Sequence, residues 1–251
     1  MKNKKNNIPE EQVLNKFLAH AGVDSRRKTA ELIKQGFVKV NGKKVTDPSY
    51  KVKPTDVILL DNKPVTVEEK KYILLNKPTK IIATASDDLG RTTVLDIVDS
   101  KGARLYPVGR LDYETTGLIL LTNDGELANK LAHPRFEVKK VYHVTLDKTV
   151  FANQMQLIKK GVKLEDGVVK VDAITHIASR PPNHVHITLH SGKYRVVRRL
   201  FEQLGFVIHN LDRIQYAGLT KRALPVGAWR NLRADEVKKL YALTTKTTKK
   251  K

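Results

Sequence analysis

The 251-residue chain contains no cysteine. Disulfides, thiolate zinc sites and a cysteine nucleophile are therefore excluded. No segment approaches the roughly 18 consecutive apolar residues of a membrane-spanning helix. The N-terminal MKNKKNNIPEE lacks the apolar stretch of a secretory signal, so the cytoplasm is the expected location. Gly-Xaa-Ser-Xaa-Gly and phosphate-loop motifs are missing too. Acidic residues are scarce relative to basic ones, 26 against 47, for a formal net charge of +21. That surplus fits a polyanionic partner. Lys and Arg contacts to phosphate release counterions, so binding should weaken steeply with salt. An anionic membrane surface would instead need a basic amphipathic helix with bulky apolar residues opposite the charges. No convincing one is present, and no membrane partner is expected.

What is present suffices for a folded protein. Apolar residues make up 40% of the chain, and its length suits one large domain beside a small one. Residues 1–8 and 241–251 read as basic disordered tails. From Glu10 to Gln35 the pattern is helical, with Val13, Phe17, Leu18 and Ala21 at helical spacing. Gly22 breaks that run. Asp24 or Ser25 then caps a second helix whose apolar side is Ala30, Leu32 and Ile33. Phe37 to Val40 alternates as a strand, and Asn41-Gly42 is a turn signal. Small strands follow at Val45 and from Val52 to Leu60. Residues 9–68 thus form a helix–helix–hairpin module, and Glu68 to Lys71 is a charged linker.

Residues 69–240 read as the larger domain. Tyr72 to Lys77 is a buried strand, and Leu118 to Thr122 is another. Strand-like stretches at 138–146, 168–177 and 184–190 are interrupted by single helices at 124–132, 153–160 and 196–204. This order predicts an α+β fold on a mixed, largely antiparallel sheet with flanking helices.

Leu18-Ala-His-Ala-Gly-Val-Asp-Ser-Arg-Arg-Lys28, followed by Gly36-Phe-Val-Lys-Val-Asn-Gly42, resembles the S4-like RNA-binding domain. Ser25, Arg26, Arg27 and Lys28 open a helix, where backbone N–H groups already favour phosphate. Lys39, Lys43 and Lys44 extend the basic face. A solvated charge run is the bland alternative. Val13-Leu14 departs from the Arg-Leu pair with which such domains often begin.

The most informative stretch is Gly109-Arg-Leu-Asp-Tyr-Glu-Thr-Thr-Gly-Leu118. Its composition alone says turn, with Asp112 as a capping residue. The string resembles the signature of pseudouridine synthases of the bacterial ribosomal-RNA branch. Leu121-Thr-Asn-Asp-Gly-Glu-Leu-Ala-Asn-Lys-Leu-Ala-His-Pro134, Lys140-Val-Tyr-His-Val144 and Gly192-Lys-Tyr-Arg-Val-Val-Arg-Arg-Leu-Phe-Glu-Gln-Leu-Gly205 extend the likeness. So do Leu75-Asn-Lys-Pro78 and Gly90-Arg-Thr-Thr-Val94. The resemblance spans roughly residues 10–240.

That resemblance implies isomerisation of a ribosomal RNA uridine to pseudouridine, with large-subunit RNA favoured. Asp112 would be the nucleophile; attack at the base and attack at the sugar both remain open. Tyr142 would stack on the uracil, and Arg198 would pair with Asp112. Arg110 would hold the flipped nucleotide, and Lys77 and Arg199 would contact RNA. An oriented, dry carboxylate is a competent nucleophile, and a guanidinium keeps it ionised. No cofactor or metal is expected, and a monomer is. Ordinary strand packing is the alternative for Tyr142, and a basic helix face for Arg198 and Arg199. Val196, Ser191, Tyr194 and Thr79-Lys80 depart from the usual motif residues, and Tyr194 favours the small-subunit enzymes. A ribosome-assembly factor that binds the same RNA without chemistry is the competing class. Metal readings are weaker. His184, His186 and His190 alternate without a carboxylate among them, while Asp87-Asp88 and Asp124-x-Glu126 read as turn and helix-start residues.

Overall fold

The computed structural model describes residues 11–245. They divide into two compact units. The first runs through Lys71 and regains Ser100–Arg104; the second holds Tyr72–Asp99 and everything from Leu105 onward.

The first unit begins with strand β1 (Gln12–Val13), where the sequence pattern suggests helix. Helix α1 (Leu14–His20) follows, then α2 (Arg26–Lys34). The Ser25 hydroxyl caps α2 by accepting from the Lys28 N–H at 3.3 Å. Strands β2 (Val38–Val40), β3 (Lys43–Lys44), β4 (Lys51–Val52), β5 (Ile58–Leu60) and β6 (Lys63–Pro64) complete the unit. β3, β2, β5 and β6 form one sheet in that order, and β1 pairs with β4. Asn41 and Gly42 both adopt positive φ in the β2–β3 turn, as a tight hairpin requires. Leu14, Phe17, Leu18, Ile33, Val38 and Ile58 fill the core. The expected charged linker is fastened rather than free: Lys71 Nζ donates to Ser100 O at 2.8 Å, and Arg104 pairs with Asp24 at 3.2 Å.

The second unit contains β7 (Tyr72–Lys77), β8 (Tyr106–Pro107), β9 (Thr116–Thr122), α3 (Gly125–Ala132), β10 (Lys140–Leu146) and α4 (Ala152–Lys160). After these come β11 (Val162–Leu164), β12 (Gly167–Val169), β13 (Ala173–His176), β14 (His184–Leu189), α5 (Val196–Gln203), β15 (Ile208–Tyr216), β16 (Leu219–Thr220), β17 (Trp229–Asn231) and α6 (Ala234–Thr245). The main sheet runs β13-β14-β10-β15-β9-β7-β17, with β16 on β15 and β8 on β9. Its pairs are antiparallel except β15 with β9, which is parallel. The fold is therefore α+β on a mixed, mostly antiparallel sheet.

The parallel step has a local cause. A Cβ on Gly117 would lie 2.4 Å from the Arg213 backbone nitrogen, so only glycine lets β9 approach β15 this closely. Leu74, Leu118, Leu120, Leu127, Leu131 and Leu240 form a core between the sheet and α3 and α6.

Two expectations change here. α6 continues to Thr245, so the first residues of the expected 241–251 tail are helical. Tyr241 explains this: its hydroxyl bonds Asp124, which also accepts from Tyr72 at 2.8 Å. The rest of that tail, and the 1–8 tail, lie outside the described residues. Among the described residues no helix is long and apolar enough to cross a membrane.

Candidate active site

The turn from Gly109 to Thr115 leads into β9 and carries Asp112. Gly109 takes positive φ, Leu111 is buried beneath the turn, and Thr115 N–H donates to Asp112 O at 3.0 Å. Lys80 N–H and Lys77 Nζ both donate to Tyr113 O, at 2.9 and 3.4 Å. The backbone beside the carboxylate is thus held from behind.

Asp112, Tyr142 and Arg198 line one cavity of about 160 Å³ at this turn. Arg198 Nε and Arg195 Nη1 stand 3.5 and 3.6 Å from the same oxygen, Asp112 Oδ2. Arg198 is fixed: its Nη2 donates to Glu114 O at 3.3 Å and to Thr115 Oγ1 at 3.2 Å. Burial, then the nearby Arg195, pull its pKa down, and Asp112 opposes them. Such shifts leave a guanidinium charged at neutral pH. Tyr142 is buried on β10, opposite Arg213 of β15 and Ile187 of β14.

Asp112 is the sole carboxylate in the lining, against Arg110, Lys140, Lys193, Arg195, Arg198 and Arg213. The cavity therefore suits an anionic substrate around one nucleophilic oxygen pair. Burial and the neighbouring Arg213 lower Lys140 to about 8; its ammonium donates to Val138 O, His190 O and Ser191 O.

Three lining residues were invisible to sequence reasoning as site residues. Arg195 sits at the cap of α5 with φ of 45°. Thr115 supplies the hydroxyl that fixes Arg198. Arg213 donates from Nε to Leu118 O at 2.7 Å and lies 4.7 Å from the Tyr216 ring centre, while its buried Nη2 has no hydrogen-bond partner. Arg195 lies inside the third motif-like string, which could have flagged it. Nothing local marks Arg213, because its place depends on long-range strand pairing.

Some expected RNA contacts are placed differently. Lys77 has no exposed surface, and its Nζ is taken by Pro78 O at 2.7 Å and by Tyr113 O. It supports the Asp112 turn from within and has no surface to offer RNA directly. Burial lowers its pKa to about 8, against the pull of Asp112 and Glu114. Arg199 is engaged by Asp166, with 2.9 Å to both oxygens. The Ser25 hydroxyl oxygen accepts the Lys28 N–H as a helix cap, a bond that does not use its O–H donor. Arg110 is exposed at the cavity. In the first unit Arg26, Arg27, Lys28 and Lys43 are exposed, and Lys39 donates to Asn62 at 2.9 Å.

The histidine and acidic groups have structural partners. His190 meets Asp172 at 3.1 Å, His143 meets His184 at 3.0 Å, and Arg91 binds Asp87. Asp124 caps α3.

The arrangement matches known proteins along most of its length. The RNA pseudouridylate synthase family model matches residues 71–203, and the S4 domain model matches residues 14–58. Ribosomal large subunit pseudouridine synthase B of Bacillus subtilis is 44% identical over 92% of this chain and 96% of its own. The dual-specificity RNA pseudouridine synthase RluF of Escherichia coli is 34% identical over 94% and 81%. A solved pseudouridylate synthase structure superposes with a TM-score of 0.65 at 30% identity, over 91% of this chain and 99% of that one.

Proposed function

Because the chain belongs to the RNA pseudouridylate synthase family, we propose that it isomerises one uridine of large-subunit ribosomal RNA at the Asp112 cavity. One observation carries the choice of site: a single carboxylate faces two guanidiniums in a cavity whose other charged lining groups are all cations. The subunit assignment is supported by the Bacillus subtilis relative, whose name specifies the large subunit.

The target base is unreachable inside a stacked helix, so the nucleotide turns outward into the cavity. Arg110 meets its phosphate or carbonyl oxygens, and Arg213 in the cavity wall adds a fixed positive charge beside it. Tyr142 stacks on the uracil. Asp112, paired with Arg198 and Arg195, attacks the nucleotide, and the glycosidic C–N bond breaks. The uracil rotates and rejoins the ribose through carbon. The bond to Asp112 breaks, that carbon gives up its proton with Tyr142 placed to assist, and the ring nitrogen freed from the ribose takes one up, so the proton count is unchanged. Reactant and product are isomers, so no electron carrier and no water is consumed. Arg26, Arg27, Lys28 and Lys43 add phosphate contacts from the first unit.

Unmodified transcripts of both ribosomal RNAs, incubated with the wild type and with Asp112→Asn, test this by chemical mapping of pseudouridine. Wild type should modify large-subunit RNA, and Asp112→Asn should modify neither. Conversion of neither RNA by wild type would leave a ribosome-assembly factor as the reading. Modification of small-subunit RNA alone would reassign the subunit. A fully active Asp112→Asn would remove Asp112 as nucleophile.

A further inference from the structure

A second cavity adjoins the catalytic one and is much larger, about 690 Å³ against about 160 Å³. The two share Leu131, Ala132, Lys140, Ser191, Gly192 and Lys193. The chain between them, residues 190–193, is held in place by Lys140 through His190 O and Ser191 O.

The interior of this cavity is apolar, from the buried Leu131, Val138 and Val169, with the exposed Pro134 at its edge. Val168 stands at its wall 59% exposed, within reach of a group entering from the mouth. The rim is basic: Lys170 and Lys193 line it, and Glu137 is the one carboxylate. Its outer wall is the β11–β12 hairpin, fastened at its turn. Asp166 accepts from Arg199, and Lys193 Nζ donates to Asp166 O at 2.6 Å. Arg199 therefore tethers this wall through its Nη2.

An apolar slot with a cationic rim has the chemistry of a flat heteroaromatic base joined to phosphate. Continuity with the catalytic cavity means that a strand delivering one nucleotide there passes the mouth of the other. We infer that this second cavity binds the base of an unpaired nucleotide close to the target uridine on the same strand. The inference rests on the Asp112 cavity being the uridine site. A catalytic cavity that senses only uracil cannot choose among uridines; a second base, read a few nucleotides away, adds that choice.

The experiment reads affinity, so it stands whether or not uridine is converted. RNA fragments tiling the large-subunit ribosomal RNA are screened, and the one bound tightest is resynthesised with an abasic nucleotide at each position in turn. Pseudouridine formation, followed in parallel, reports on the uridine-site premise alone. One abasic position should raise the wild-type Kd roughly tenfold, the scale of one lost base contact. Val168→Glu should raise the Kd of the intact RNA by a similar factor and leave that abasic RNA unaffected. Lys170→Glu, on the same rim and exposed, provides the second variant and should raise the Kd of the intact RNA in the same way, and thermal denaturation checks that both fold. If no abasic position matters, or if the abasic and Val168→Glu effects simply multiply, the proposal is wrong.

Discussion

The candidate phosphate-binding cations of the first unit and the cations around the Asp112 turn and cavity are held in opposite ways. In the first, Arg26, Arg27, Lys28 and Lys43 stand in solvent. In the second, Arg198, Arg213, Lys77 and Lys140 are largely or wholly buried, and each donates to backbone carbonyl oxygens. Solvated cations attract a polyanion from many angles and are screened by salt. A buried guanidinium with fixed partners acts in one direction and is poorly replaced by an ammonium. The first unit should therefore govern affinity, and the second should govern chemistry.

The sharpest break in that division would come at Arg198. Arg198→Lys keeps the charge and loses the fork that reaches Thr115 and Glu114 while facing Asp112. Single-turnover conversion should fall about 10²- to 10³-fold, as when a preorganised donor is removed. RNA affinity should stay within about threefold, because one buried cation adds little to a surface of this charge. An equal loss in both measurements would erase the distinction between the units.

Gly117→Ala tests whether the chemistry depends on the β9–β15 junction. The new Cβ would meet the Arg213 backbone at 2.4 Å, at a φ of +113°. The second unit should lose about 2–4 kcal/mol of stability in denaturant unfolding. The first unit contains no part of this junction, so its own unfolding should be unchanged.

These sites also mark what the sequence discloses. Asn41-Gly42 announces its hairpin because the turn demands positive φ at both residues, a purely local property. The apolar run from Leu118 to Leu121 announces a buried strand for the same kind of reason. β15 is hidden: Asp212 and Arg213 interrupt its apolar pattern, and its parallel place beside β9 is settled by residues nearly a hundred positions away. α6 is hidden too, since a Thr- and Lys-rich ending masks the helix that Tyr241 anchors. Asp112, Tyr142 and Arg198 were legible as a group through motif order. Arg195 and Arg213 were not, because only the folded sheet and the start of α5 bring them to that cavity. Lys77 shows the reverse case: a lysine expected to contact RNA lies inside, where it holds a carbonyl.

In the first unit the expected effects are smaller and salt-dependent. Arg26→Gln, Arg27→Gln and Lys43→Gln combined should weaken RNA binding about tenfold at moderate salt. The slope of log Kd against log salt should drop by roughly 0.7–0.9 for each lost phosphate contact. Conversion at saturating RNA should change less than about twofold. A fall in that rate with an unchanged salt slope would mean that these residues serve the chemistry and not the footprint.

The mildest test uses pH and separates stability from activity inside the second unit. Lys77 and Lys140 both sit at about 8 in the folded protein, against 10.5 for a free lysine. Between those values the unfolded chain holds more protons than the folded one. Unfolding then takes up protons, so raising the pH through this window favours the folded state at these two positions. Activity should move the other way. As Lys140 loses its proton it has fewer donors for Val138 O, His190 O and Ser191 O, and the cavity loses a positive charge. Lys77 loosens its hold on Tyr113 O, next to Asp112, in the same range. Conversion should thus decline a few-fold with an apparent pKa near 8, while the denaturation midpoint holds steady or rises from pH 7 to about 9.5. A midpoint that falls in step with activity would show that the alkaline loss is unfolding, and that the buried lysines do not tune the site.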